Sequence, residues 1–230
     1  MAQRIQARMI DYKINGGKVA GYEARPGGAG RFPGVVVIIE WWGLDSHIKD
    51  VTERFAREGY YALAPDIYHG TVTADPQEAM KLTRALDRER AVKELVAAVD
   101  HIKGQRVSNG KVGVIGYCMG GGLALLTAVN SEKVDAVNPY YGGNPNPLDL
   151  VQRIQCPILG LYAGHDEANR PSVPALEGAL RQYRKQFECI VYPDAPHAFF
   201  NDTQDSYRKE AAEDAWRRTQ TFFGKHLKGS

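Results

Sequence analysis

Cysteine is scarce in this chain, with three among 230 residues, at Cys118, Cys156 and Cys189. An odd number with no paired spacing argues against a disulfide framework and against a zinc knuckle. Long apolar runs are missing as well. The most hydrophobic stretch, Val35 to Ile39, is far short of the ~20 residues that cross a bilayer, and the first nine residues hold no apolar block of signal-peptide length. A cytoplasmic location with no membrane partner is therefore expected. Charge of a single sign is absent too: 29 basic side chains face 27 acidic ones, interspersed, which leaves no basic field for a nucleic acid. No two of the six histidines have the close spacing of a mononuclear metal site, so neither a metal nor another cofactor is expected. There is no internal repeat, low-complexity tract or long linker. Residues 1–230 are read as a single domain, long enough to bury a full core.

What is present is an alternation of short apolar runs with amphipathic stretches. Met9 to Ile14 and Val19 to Ala24 flank Asn15-Gly16-Gly17, a turn that needs positive φ, and predict an N-terminal antiparallel hairpin. Strand patterns follow at 34–39, 60–64, 111–115, 134–137, 158–162 and 187–191. Helix patterns lie between them at 46–58, 75–103, 118–129, 172–185 and 205–226, the second broken or bent between Leu86 and Arg90. This order predicts an α/β fold: a central, mostly parallel sheet with helices on both faces. The last helix carries an apolar stripe through Ala212, Ala215, Trp216, Thr219, Phe222 and Phe223, which reads most simply as a packing face, with an oligomer seam as the alternative.

Between a strand pattern and a helix pattern stands Gly116-Tyr117-Cys118-Met119-Gly120-Gly121-Gly122. A Gly-x-Cys-x-Gly frame in that place has the form of a nucleophile elbow, a turn so sharp that only glycine-sized neighbours leave room for a strained central residue. The helix that follows would point its positive end at the sulfur and favour negative charge there. On these residues alone the frame could equally serve close strand–helix packing, with Cys118 a small hydrophobe. Cys156 and Cys189, within or at the start of strand patterns, read as core residues.

Catalytic groups of open α/β sheets gather beyond the carboxyl ends of strands. Asp166 follows the strand at 158–162, and His197 follows the strand at 187–191 in Pro193-Asp194-Ala195-Pro196-His197. The chain order is nucleophile, acid, base, that of the α/β-hydrolases, and three concordant placements outweigh the packing alternative. His47, His69, His101, His165 and His226 have no partnered motif, and Asp66 is as well explained by a turn.

These segments resemble the dienelactone hydrolase family, the cysteine-nucleophile branch of the α/β-hydrolases, from about Phe32 to Phe223. The resemblance rests on Ile39-Glu40-Trp41-Trp42-Gly43, on the elbow, and on the Asp and His loops with their intervals of forty-eight and thirty-one residues. It implies a hydrolase of esters or lactones using Cys118, His197 and Asp166. It also implies that Glu40 contacts the resting thiol and takes part in its activation, and that the N–H groups of Trp41 and Met119 form the oxyanion hole. Aromatic and polar residues in the strand-end loops, Trp42, Tyr68, Tyr140, Tyr141, Phe199 and Asn201, are the expected substrate-binding residues. Family members that act on dienelactone hold its carboxylate with two arginines, and this chain has His69-Gly70 and Asn201 at those places. A neutral or aromatic ester, or a broader range of esters, is then the expected substrate. A small-molecule substrate is the one partner expected, for a monomer or weak homodimer. A non-hydrolytic ligand-binding protein on the same scaffold is the alternative. A dinucleotide-binding oxidoreductase is disfavoured, because the Gly-rich turn follows a central strand and has no well-placed ribose acid.

Overall fold

Gly16, at φ +87°, closes the predicted hairpin between β1 (Ile5–Ile14) and β2 (Gly17–Pro26), each strand longer than the apolar pattern that announced it. The computed structural model describes residues 4–229. After the hairpin come β3 (Phe32–Ile38), α1 (Ser46–Arg57), β4 (Tyr61–Pro65), α2 (Pro76–Ala85), α3 (Arg88–Gly104), β5 (Ser108–Tyr117), α4 (Met119–Asn130), β6 (Ala136–Tyr140), β7 (Ile158–Ala163), α5 (Val173–Gln182), β8 (Phe187–Tyr192) and α6 (Lys209–Leu227). Short 3-10 turns at Leu148–Arg153 and Arg170–Ser172 precede β7 and α5. The strands form one sheet in the order β1-β2-β4-β3-β5-β6-β7-β8. β2 is antiparallel to β1 and β4, and every pairing from β4 onward is parallel. This is the expected α/β arrangement with its antiparallel hairpin.

Successive strand residues point to opposite faces, and the glycines of β3 and β5 show what covers each. A side chain on Gly34 would collide with Ile102 of α3, whereas one on Gly113 would collide with Phe223 and Leu227 of α6. On the α6 side, Phe55 of α1 packs its ring 4.8 Å from Trp216 and 6.1 Å from Phe223. The apolar stripe of α6 is thus spent on this chain's own core: Ala212, Ala215, Thr219 and Phe223 are buried. The run Val35 to Ile39 is wholly buried.

The predicted interruption of the second helical stretch falls at Leu86-Asp87. Asp87 accepts the N–H of Arg90 at 3.0 Å and so caps a new helix. One strand lies further along than expected. β6 runs through Asn138 and Pro139, residues that normally interrupt a central strand. Here the Asn138 amide donates to the Leu159 carbonyl and accepts from the Thr219 hydroxyl. The shift puts Tyr140 inside the sheet instead of in a strand-end loop.

Candidate active site

β5 ends at Tyr117, and the next residue, Cys118, takes φ 57° and ψ −121° before α4 begins. A positive φ of this kind is costly for a side-chain-bearing residue. Its neighbours leave no alternative: a Cβ at Gly116 would lie 2.0 Å from the Gly120 carbonyl oxygen, and one at Gly120 would lie 2.4 Å from that of Ile39. The elbow therefore requires glycine on both sides. Cys118 is partly exposed, with its N–H bonded to the Tyr140 carbonyl at 3.1 Å. The N–H groups of Met119, first in α4, and of Trp41, just past β3, have no backbone carbonyl partner among the described residues.

Asp166 and His197 arrive on two loops that are stitched together. Gly164 N–H donates to the Tyr192 carbonyl at 2.8 Å and His165 N–H to that of Ala195 at 3.0 Å. A Cβ at Gly164 would sit 2.1 Å from the Pro193 carbonyl oxygen, so this approach also depends on glycine. At the junction, His197 Nδ1 lies 2.6 Å from Asp166 Oδ2. Asp166 is nearly buried and accepts three more bonds: at Oδ1 from the N–H groups of Ala168 and Asn169, and at Oδ2 from the Asn169 amide at 2.9 Å. Burial works against its charge, but the bonds from His197 and Asn169 outweigh burial and hold the carboxyl below its ordinary value. Burial likewise opposes charge on His197. The hydrogen bond with Asp166, together with the nearby Cys118 sulfur, prevails and pushes it up to about 10. Burial pushes the thiols of Cys156 and Cys189 up to about 12.

Glu40 ends the buried run of β3 and is 2% exposed. Asn201 Nδ2 donates to its Oε2 at 2.6 Å, and the Tyr141 hydroxyl donates to Oε1 at 3.5 Å. Burial raises this carboxyl to about 7, a like charge on Asp45 adds to the rise, and the Asn201 bond opposes it. Among the described residues no hydrogen bond joins Glu40 to Cys118; the bonds of this carboxylate go to Asn201 and Tyr141.

The expected substrate-binding residues divide into two groups. Trp41 and Trp42 are partly exposed, with ring centroids 4.9 Å apart, and Tyr68 places its hydroxyl 3.5 Å from the Met119 sulfur and 3.1 Å from Thr83. These surround the elbow. Tyr140, Tyr141, Phe199 and Asn201 are completely buried and do not form an open wall. The Tyr140 hydroxyl is bonded to Thr219 at 2.7 Å, and Phe199 packs between Tyr141 and Tyr192. Tyr141 supports the site from behind, its ring centroid 5.0 Å from that of His197. Asn201 donates to Glu40. Runs of aromatics beside a strand end do not reveal which rings turn inward, and β6 extends further than its pattern implied.

Several supporting residues were not anticipated. Asp166 accepts the N–H of Ala168, two residues on, in an Asx turn that brings Asn169 beside the same carboxylate. Gly164, Thr203 and Asp202 carry no comparable signal. His69, at the place of a family arginine, has Nε2 3.0 Å from Glu94 on α3. Two concavities, of about 520 Å3 beside Phe187 and Phe222 and about 440 Å3 beside Arg25 and Tyr61, lie at the opposite ends of the strands and contain none of the candidate site residues.

Residues 19–227 match the sequence profile of the dienelactone hydrolase family, which is nearly the whole chain. The chain belongs to that family. Among its relatives is a protein of Saccharolobus solfataricus, named provisionally as a carboxymethylenebutenolidase, 36% identical across 93% of this chain and 96% of its own length. "Protein usf" of Aquifex pyrophilus is 37% identical across 96% of this chain and 99% of its own. A solved structure described as a dienelactone hydrolase-like promiscuous phosphotriesterase, from metagenomic libraries, superimposes with a TM-score of 0.89 at 25% identity, covering 97% of this chain and 99% of that one. Within this dienelactone hydrolase family member, Cys118, Asp166, His197 and Glu40 come from four segments that meet at the carboxyl ends of β3, β5, β7 and β8. No helix among the described residues is long and apolar enough to cross a membrane.

Proposed function

We propose that this protein is a thiol-dependent carboxylic ester hydrolase that acts on small neutral esters or lactones through a thioester acyl-enzyme. The observation that carries the reading is the hydrogen bond between Asp166 and His197 at the strand ends where Cys118 is held at φ 57° at the head of α4. Cys118 is the nucleophile: its sulfur bonds to the carbonyl carbon while the carbonyl π pair moves to oxygen. The N–H groups of Trp41 and Met119 receive that oxyanion, and losing one such donor typically costs on the order of 3 kcal/mol in the transition state. As the C–O bond breaks, His197 gives a proton to the departing alkoxide. Water then attacks the thioester, His197 takes its proton, and the sulfur leaves with the bonding pair. Asp166 holds the ring and offsets its charge. Glu40 supports the charged state of the site without joining the bond changes.

The neutral substrate follows from the surroundings. Asn201 is committed to Glu40, and His69 is tied to Glu94, so neither place offers the fixed cation that would select a carboxylate-bearing lactone. Trp41, Trp42 and Tyr68 supply an aromatic rim suited to an uncharged acyl or aryl group.

The test is turnover of a short aryl ester, a dienelactone and a neutral phosphotriester by the parent protein and by Cys118→Ala under reducing conditions. The phosphotriester is included because of the structural relative's description. The expected result is aryl ester turnover exceeding that of the dienelactone, and a loss of about 1000-fold or more in the variant. Equal turnover by both proteins would remove Cys118 from the mechanism. Inactivity of both, with saturable ligand binding, would favour a binding protein on the same scaffold.

A further inference from the structure

The amide of Asn201 is oriented by its neighbours. Its Oδ1 accepts the N–H of Thr203 at 3.0 Å and the Thr203 hydroxyl at 2.7 Å, which leaves only Nδ2 to face Glu40. An amide nitrogen can only donate, so this bond favours carboxylate over carboxylic acid. Both partners are buried, Asn201 completely. The loop that carries Asn201 is fastened as well: Asn201 N–H donates to the Ala198 carbonyl at 3.0 Å, and Gln204 N–H to that of Asn201 at 3.2 Å. The next residue, Asp202, reaches the other way and binds Arg54 and, at 3.2 Å, His47 Nδ1, both on α1. Asn201 therefore cannot turn toward a ligand without releasing several bonds at once. We propose that Asn201, oriented by Thr203, is a latch that fixes where the Glu40 carboxylate points and favours its ionised form, a positioning residue for the thiol site.

The two oxygens of Glu40 are held unequally, with 2.6 Å to Asn201 on Oε2 and 3.5 Å to Tyr141 on Oε1. Oε1 is therefore the oxygen freer to take a proton. The groups that face this carboxyl are His197 on the latch's own loop, Asp45 before α1, Tyr141 beyond β6 and Tyr117 at the end of β5. His197 favours the charge, whereas Asp45 and burial oppose it, so the Asn201 bond is the main local contact that keeps ionisation near neutrality. This inference rests on the thiol hydrolase reading in taking Cys118 and His197 as the reacting pair that an ionised Glu40 supports.

The experiment follows the titration of Glu40 by carbon NMR of carboxyl-labelled glutamate, assigned with Glu40→Gln, alongside the pH profile of kcat/KM for an aryl ester. It compares the parent, Asn201→Ala and Thr203→Val. In Asn201→Ala the Glu40 titration moves to higher pH by about 1 to 2 pH units, and the rising limb of kcat/KM moves with it. Thr203→Val, which keeps its N–H, shifts both in the same direction by less, and it carries the test if the alanine variant does not fold. Unmoved titrations in the variants would overturn the latch, as would a uniform loss of activity at every pH or a titration that moves while the kinetic limb stays. If the parent turns over no ester, the hydrolase reading fails and the NMR titration still decides whether the latch holds Glu40.

Discussion

Glu40 is a carboxyl in a place that suits a neutral side chain. Burial raises it from 4.5 to about 7, because the bonds from Asn201 and Tyr141 only partly replace water around the charge. The unfolded chain loses the Glu40 proton near 4.5 and the folded one near 7. Stability contributed by this group is therefore fully present below about 4.5 and is lost as pH rises to about 7, remaining lost above it. At about 1.4 kcal/mol for each tenfold change in proton affinity, the loss is about 3 kcal/mol. Glu40→Gln is expected to be more stable than the parent at pH 8 by up to about 3 kcal/mol, with the difference vanishing below about pH 4.5. Urea denaturation at the two pH values measures this, and a gain that persists undiminished in acid would contradict it. Asp166 behaves oppositely: its folded value is depressed, so its contribution is present above 3.8 and is lost as pH falls below that. At this scale Cys118, Asp166 and His197 were legible because chain order and strand-end position point to them independently. The role of Asn201 was not legible. Nothing in the sequence tells whether an amide four residues after His197 faces a ligand or a carboxylate brought from β3, 161 residues away.

The elbow depends on β5, α4 and the end of β3 meeting with no side chain between them. A Cβ on Gly120 would contact the carbonyls of both Ile39 and Ile38, at 2.4 and 2.8 Å. These are backbone atoms of a buried central strand, which cannot yield as a flexible side chain would. Gly120→Ala should cost about 3 kcal/mol or more, displace Trp41 relative to Met119, and reduce kcat far more than KM. Thermal unfolding together with steady-state kinetics checks both parts, and an alanine variant of parental stability and kcat would show that the approach is not required. Element types were largely readable, because buried strands and amphipathic helices have different periods. The break between α2 and α3 was readable as a cluster of charge, though its position was set by Asp87 acting as a cap. β6 was misplaced because Asn138 and Pro139 argue locally against a strand. The Asn138 side chain is satisfied by Leu159 of β7 and Thr219 of α6, partners distant in sequence.

Across the whole molecule, alternation of strands and helices brings the carboxyl ends of β3, β5, β7 and β8 to one edge, and there the sequence places Glu40, Cys118, Asp166 and His197. This convergence could be read from chain order, since parallel strands with intervening helices leave their following loops on the same side. The interior of the site could not, because it is built where loops from distant segments interlock, as Gly164 does with Pro193 and Asn201 with Glu40. The opposite edge, with its concavities beside Phe187 and Arg25, holds none of the site residues. All of the proposed chemistry passes through a bond between substrate carbon and the sulfur of Cys118. The most direct measurement is rapid acid quench of the protein during turnover of an aryl ester, followed by intact and peptide mass analysis. The account predicts one acyl group per chain, on the peptide containing Cys118, released by hydroxylamine and absent in Cys118→Ala. Turnover with no adduct on that cysteine, undiminished when it is replaced by alanine, would contradict it.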